Sequence, residues 1–128
     1  MPLTDGEIAS VQNRLKWKYD DNHTEHFDCV RIAYEWLDAQ ENTKGYIRDF
    51  IPLKHYIESW GRRYVSTFDV QVAAELHPRI VGEYPRYNIS RKFTQPLRGR
   101  LDKIGEANKH DTYDHIYQDI YKKWEGNC

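Results

Sequence analysis

Cysteine is scarce in this chain of 128 residues, with Cys29 mid-chain and Cys128 at the last position. Two thiols placed so far apart make no disulfide framework, which agrees with a reducing compartment. Long apolar runs are missing too, so no transmembrane helix is predicted, and Met1 to Ser10 lack the basic-then-apolar pattern of a secretory signal. The expectation is a cytoplasmic protein with no membrane contact. Seven glycines and five prolines are no enrichment, and no stretch is low in complexity, which excludes fibrous and linker-like chains. No internal repeat is visible, which sets solenoids aside.

What is present suits one domain over residues 1–128. An apolar fraction of 39% is too high for a disordered chain. A folded chain of this length has a radius of gyration of roughly 14 Å and buries about two-thirds of its unfolded surface.

Thr4 and Glu7 have capping-box spacing, and Ile8, Val11 and Leu15 follow at helical intervals, predicting a helix over residues 5–18. Two adjoining stripes, Phe27, Val30, Ala33, Tyr34, Leu37 and Cys29, Ile32, Trp36, predict a central helix over 25–40. Pro52 opens a third helix with Leu53, Tyr56, Ile57, Trp60 and Tyr64. Ser66 and Asp69 repeat the capping-box spacing before a fourth, which Pro78 stops after His77. Gly82 and Pro85 amid β-prone residues suggest short strands within 79–89. Phe93, Leu97, Leu101 and Ile104 share one helical face, and Tyr113, Ile116, Tyr117, Ile120, Tyr121 and Trp124 share another. The resulting expectation is a mainly α fold of about six helices with a short wing-like β-hairpin around residues 79–89.

The near-neutral net charge of −1 taken alone argues against a nucleic-acid partner, yet it is a sum of unlike parts. Residues 1–50 carry six basic and ten acidic residues, and 51–78 carry three of each. Residues 79–103 hold seven basic residues (Arg79, Arg86, Arg91, Lys92, Arg98, Arg100, Lys103) against Glu83 and Asp102, while 104–128 hold three basic and five acidic. A basic segment inside an acidic chain can orient the protein toward phosphate. Asn88, Ser90 and Gln95 add groups that hydrogen-bond bases or phosphates, and on a helix Arg91, Gln95 and Arg98 fall at i, i+4 and i+7. Arginine outnumbers lysine there by five to two, which suits bidentate contacts.

Ser66-Thr-Phe-Asp-Val-Gln-Val-Ala-Ala-Glu-Leu-His77 resembles the first helix of a helix-turn-helix unit, with Ala73 as the small residue at the crossing. Residues 90–104 stand where the recognition helix would. The connection from Leu76 to Ser90 is longer than the usual tight turn, which points to a winged-helix-like variant of a unit spanning 66–104. The resemblance implies that residues near the start of the second helix meet the major groove.

The first reading is therefore a small transcription-regulator-like or accessory factor that binds duplex DNA. Its contact residues are Arg79, Arg86, Asn88, Ser90, Arg91, Lys92, Gln95, Arg98, Arg100 and Lys103. The second is a protein-interaction module, an inhibitor or accessory factor of mobile-element type that uses aromatic and Arg anchors on an acidic partner surface. Ten tyrosines, four tryptophans and four phenylalanines are more than such a core needs. Within that view a helix over 111–124 presents Tyr113, Tyr117, Tyr121 and Trp124 to a partner or to a second copy in a homodimer. In a third reading, Arg48 and His55, six residues apart, are similar in spacing to the Arg and His pair of HEPN ribonucleases. That resemblance implies a histidine assisting attack of an RNA 2′-hydroxyl. No Gly-rich phosphate loop, His-Glu-x-x-His or Gly-x-Ser-x-Gly occurs, so the expectation is a protein that is not an enzyme. No cofactor is expected. Nor is a metal, because His23, His26 and Cys29 spread over too wide an arc of a helix. Lys109, His110, Asp111, Asp114 and His115 read as a capped helix start.

Overall fold

The computed structural model describes residues 3–110 and 117–126. Four α-helices come first in the chain: α1 (Asp5–Leu15), α2 (Phe27–Asp38), α3 (Leu53–Gly61) and α4 (Thr67–Leu76). Each starts where local chemistry satisfies the orphan N–H groups of a first turn or where proline removes one. Thr4 accepts from the Glu7 N–H at 3.1 Å while Glu7 accepts from the Thr4 N–H at 2.9 Å. Ser66 and Asp69 exchange the same pair at 3.0 Å each. His26 caps α2 by accepting from the Asp28 N–H at 2.9 Å, and Pro52 stands directly before α3.

α2 is the centre of the packing. Both of its stripes face the core, with Cys29, Val30, Ile32, Ala33, Trp36 and Leu37 buried and Phe27 and Tyr34 half-buried against it. It packs on α4 and crosses α3 so closely that a Cβ on Gly61 would meet Ile32 Cγ2 at 2.5 Å. Phe68, Ile8, Leu53 and Ile57 complete the inner layer, and each such side chain contributes about 1.5–3 kcal/mol by leaving water.

After α4 the chain turns to short strands. β1 (Gly82–Glu83) and β2 (Arg86–Tyr87) form an antiparallel hairpin, and β3 (Phe93–Gln95) pairs in parallel with β4 (Tyr121–Trp124). A short 3-10 helix, Arg98–Leu101, lies between β3 and β4 in sequence. The φ of +114° at Gly82 belongs to the region that favours glycine, and a Cβ there would meet the Arg86 carbonyl oxygen at 2.5 Å. Gly82→Ala is expected to cost about 2 kcal/mol in urea denaturation, with the loss centred on the hairpin. A loss below about 0.5 kcal/mol, within the range of an ordinary surface substitution, would contradict this account of the turn.

The mainly α, six-helix expectation is corrected: the described residues hold four α-helices and two small sheets. Residues 90–104 do not form a continuous helix: β3 and the short 3-10 helix take its place. Pro96 removes a donor and holds Gln95 extended, and Ser90 Oγ accepts from the Lys92 N–H at 3.1 Å in a local turn that competes with helix. Thr94 is claimed by Gln40, whose Oε1 accepts from the Thr94 N–H at 2.9 Å and whose Nε2 donates to the Thr94 carbonyl at 2.8 Å. One side-chain amide thus serves a strand edge. The recognition helix of a helix-turn-helix unit is accordingly not formed.

The expected helix over 111–124 is corrected in part. Residues 111–116 lie outside the described residues, but Tyr121–Trp124 is strand, and Tyr117 has a φ of +62°. The indole of Trp36 draws Tyr121 inward by donating to its hydroxyl at 2.9 Å. No helix among the described residues is long and apolar enough to cross a membrane.

Candidate nucleic-acid interface

The stretch between α2 and α3 is laid against the hairpin by main-chain bonds. Thr43 N donates to Asn88 O at 2.9 Å, Ile47 N to Tyr87 O at 3.1 Å, and Ser90 N to Glu41 O at 2.9 Å. Ile47 and Ile51 are buried as anchors, so the loop between them holds Arg48, Asp49 and Phe50 outward. The Tyr46 ring rests on Gly82, within 3.0 Å of where a Cβ would stand. Arg86 Nε donates to the Arg48 carbonyl at 2.9 Å, tying the two guanidinium-bearing segments together.

Three shallow depressions run along this side of the molecule and share walls. The first, about 680 Å³, lies between the hairpin and the loop and includes Tyr46, Arg48 and Arg86. The second, about 500 Å³, again includes Tyr46 and Arg48 and reaches Ser90 and Arg91. The third, about 660 Å³, is lined by Arg91, Lys92, Lys122 and Lys123 alone. Tyr46 and Arg48 join the first to the second, and Arg91 joins the second to the third. The result is one continuous track with six cationic side chains. The parallel pairing of β3 with β4 produces its basic end by setting the pair Arg91-Lys92, just before β3, beside Lys122-Lys123 of β4.

Two of these cations hold exposed acids: Arg91 pairs with Asp49, both 62% exposed, and Lys123 pairs with Glu41. Exposed pairs are worth about 0–1 kcal/mol, so an incoming phosphate can replace either carboxylate at little cost. Glu83, in the first depression, is engaged by Lys18 Nζ and the Tyr19 hydroxyl at 3.0 Å each, which hold its carboxyl below its ordinary pKa.

The structure brings Arg86, Ser90, Arg91 and Lys92 of the sequence-predicted contact residues onto this track and places the others elsewhere. Arg79 donates to Asp38 at 3.1 Å. Arg100 is gripped by Glu125, by Glu35 at 2.7 Å and by Asp38 at 3.0 Å, and the Glu125 hydrogen bond leads in raising its pKa. Burial pushes the Asp38 carboxyl up, but hydrogen bonds from His77 and Arg100 outweigh that and hold it below its usual range. His77, buried beneath this cluster, meets Asp38 at 2.7 Å through Nε2. Asn88 is buried and closes the hairpin base, accepting from Val81 N at 2.8 Å and donating to Arg79 O at 3.0 Å.

Arg98 and Gln95 line a separate cavity of about 260 Å³, where Arg98 donates to the Trp60 carbonyl and to Asn108 Oδ1. Lys103 borders another of about 530 Å³ with Arg31, Tyr34 and Asp102. Of the expected aromatic interface, Tyr113 lies outside the described residues and Tyr121 is buried. Tyr117 packs on Tyr56 at 5.1 Å, while Trp124 is half exposed. Arg48 sits in the loop before α3, and His55 on α3 contacts Glu58 through Nδ1 at 2.9 Å. Of the helix-start group, His110 accepts through Nδ1 from the Tyr64 N–H at 3.0 Å, and Asp111, Asp114 and His115 lie outside the described residues.

Among the described residues no group of three or more His, Cys, Asp or Glu is arranged to hold a metal ion. Burial pushes the Cys29 thiol up to about 12, which leaves it protonated and unreactive at neutral pH.

Sequence reasoning missed Tyr46, Phe50, Lys122 and Lys123, and weighed Arg48 only as a partner of His55. A signal existed in the dibasic pairs Arg91-Lys92 and Lys122-Lys123, but only strand pairing makes them neighbours. Compared with protein-family models, curated proteins and solved structures, the chain matches none.

Proposed function

We propose that the protein binds DNA through the sugar-phosphate backbone, along the track that ends at Arg91, Lys92, Lys122 and Lys123. The observation that carries this reading is the depression lined by those four cations, two of which, Arg91 and Lys123, pair with exposed carboxylates outside its lining. Phosphate neutralisation releases condensed counterions, and it requires clustered cations rather than a groove-reading helix. Contacts of this kind position the protein without reading sequence, so the role is that of an accessory factor tolerant of sequence. Binding, with no chemical step, is the activity proposed. A cytoplasmic location fits the free, buried thiol of Cys29.

Four phosphate contacts give a slope of log affinity against log salt of about −3 to −4, roughly a hundred-fold between about 50 and 200 mM. Fluorescence anisotropy with a labelled oligonucleotide measures it. Lys92→Glu combined with Lys122→Glu, both on exposed side chains, is expected to weaken binding at least about tenfold and flatten the slope. Absence of binding at low salt, or a charge-reversed variant that binds like the wild type, removes the proposal.

A protein partner is the second reading, favoured by the exposure of Trp17 (85%) and Phe50 (70%). It predicts binding carried by aromatic anchors and nearly indifferent to salt.

A further inference from the structure

We infer that the bound strand is unpaired DNA, with Tyr46 and Phe50 serving as stacking platforms for its bases. The inference rests on the backbone-binding reading above and adds the form of the nucleic acid. Tyr46 is 56% and Phe50 is 70% exposed, on the loop that also carries Arg48. Tyr46 forms part of the shared wall between the first and second depressions, so a strand following the cations must pass its ring.

The ring is held in place before any ligand arrives. Ile47, directly after it, is buried and bonded to the Tyr87 carbonyl at 3.1 Å, and Gly82 supports it from below. Phe50 stands between Asp49, which lines the second depression, and the buried Ile51. Anchored aromatics lose little freedom on binding, so exposing them to water gains them a π-face for a partner rather than a place in the core. A duplex keeps its bases stacked inside and offers these rings only sugar and phosphate. An unpaired strand offers base faces at intervals between phosphates, and a basic groove interleaved with aromatic side chains matches that alternation.

The test compares the full chain with labelled oligothymidine and with a self-complementary duplex of equal total charge. The wild type is expected to bind the unpaired strand more tightly. Tyr46→Ala and Phe50→Ala are each expected to lose roughly five- to tenfold on that strand and little on the duplex, stacking being worth at least about 1 kcal/mol per base. Circular dichroism and thermal melting confirm that the variants fold, and Phe50→Ala alone decides the matter if Tyr46→Ala does not. Equal or tighter duplex binding, or aromatic variants that bind the single strand like the wild type, overturns the inference while the Lys92→Glu/Lys122→Glu loss still upholds backbone binding. If the charge-reversed variant binds both forms like the wild type, or nothing binds, both readings fall.

Discussion

Gln40→Ala is expected to lower the stability of the folded protein by about 3 kcal/mol. Gln40 is 6% exposed, two residues past the end of α2, and its amide makes three bonds. Nε2 donates to the Trp36 carbonyl at 3.0 Å and the Thr94 carbonyl at 2.8 Å, and Oε1 accepts from the Thr94 N–H at 2.9 Å. Thr94 is itself buried, so truncation strands one donor and one acceptor away from water, at about 1–3 kcal/mol each. Urea denaturation followed by tryptophan fluorescence measures the loss. Gln40→Glu keeps an acceptor for the Thr94 N–H but turns a second oxygen toward the Thr94 carbonyl, so it is expected to rescue little. A loss under about 1 kcal/mol for the alanine variant would show that water reaches Thr94 and that the amide is not what holds β3.

The same bond governs the proposed binding track. β3 lies between Gln40 on one edge and β4 on the other, and this arrangement sets Arg91-Lys92 beside Lys122-Lys123. Stability and site geometry are therefore coupled through a residue that touches no ligand. The indole bond from Trp36 to Tyr121 pins β4 from beneath in the same manner.

This arrangement explains which parts of the molecule were legible in the sequence. The helix starts at Thr4, Pro52 and Ser66 could be read because their chemistry is local, spanning three residues or a single imino acid. The burial of α2 on two stripes follows from composition and period alone. Residues 90–104 could not be read that way. Phe93, Leu101 and Ile104 are buried, so their spacing imitates a helix, but Leu97 on the same face is 51% exposed, and a glutamine 54 positions away decides the backbone at Thr94. The charge count had the same limit: it located an excess of arginine without showing which members neutralise Asp38, Glu35 and Glu125 within the fold. Arg79 and Arg100 do so, and the cations that remain on the track include three, Arg48, Lys122 and Lys123, from outside the basic segment.

The buried capping carboxylate Asp69 is expected to make stability fall as pH rises from about 4 to about 6. It caps α4 by accepting from the Ser66 N–H at 3.0 Å, yet the residue is fully buried, and its Oδ1 has no hydrogen-bond partner. Desolvation dominates over the hydrogen bonds from Ser66 and the weaker pull of the Glu25 backbone N–H, and raises its pKa from 3.8 to about 6. Across that window the folded state holds the proton that the unfolded chain has released, so the native state binds more protons and raising the pH weakens it. Below about 4 both states are protonated, and above about 6 both are ionised, so the contribution levels off at either end. A shift of this size corresponds to about 3 kcal/mol in full. Asp38, Glu83 and Glu125 have lowered pKa values and act in the opposite sense, losing their contribution as pH falls. The clean measurement is thus a difference between the wild type and Asp69→Asn, which keeps a capping oxygen for Ser66 but cannot titrate. The stability of the wild type relative to this variant should decline between about pH 4 and 6 and stay flat above. A difference that does not change with pH would mean that Asp69 is ionised throughout, with water or a neighbouring donor reaching Oδ1.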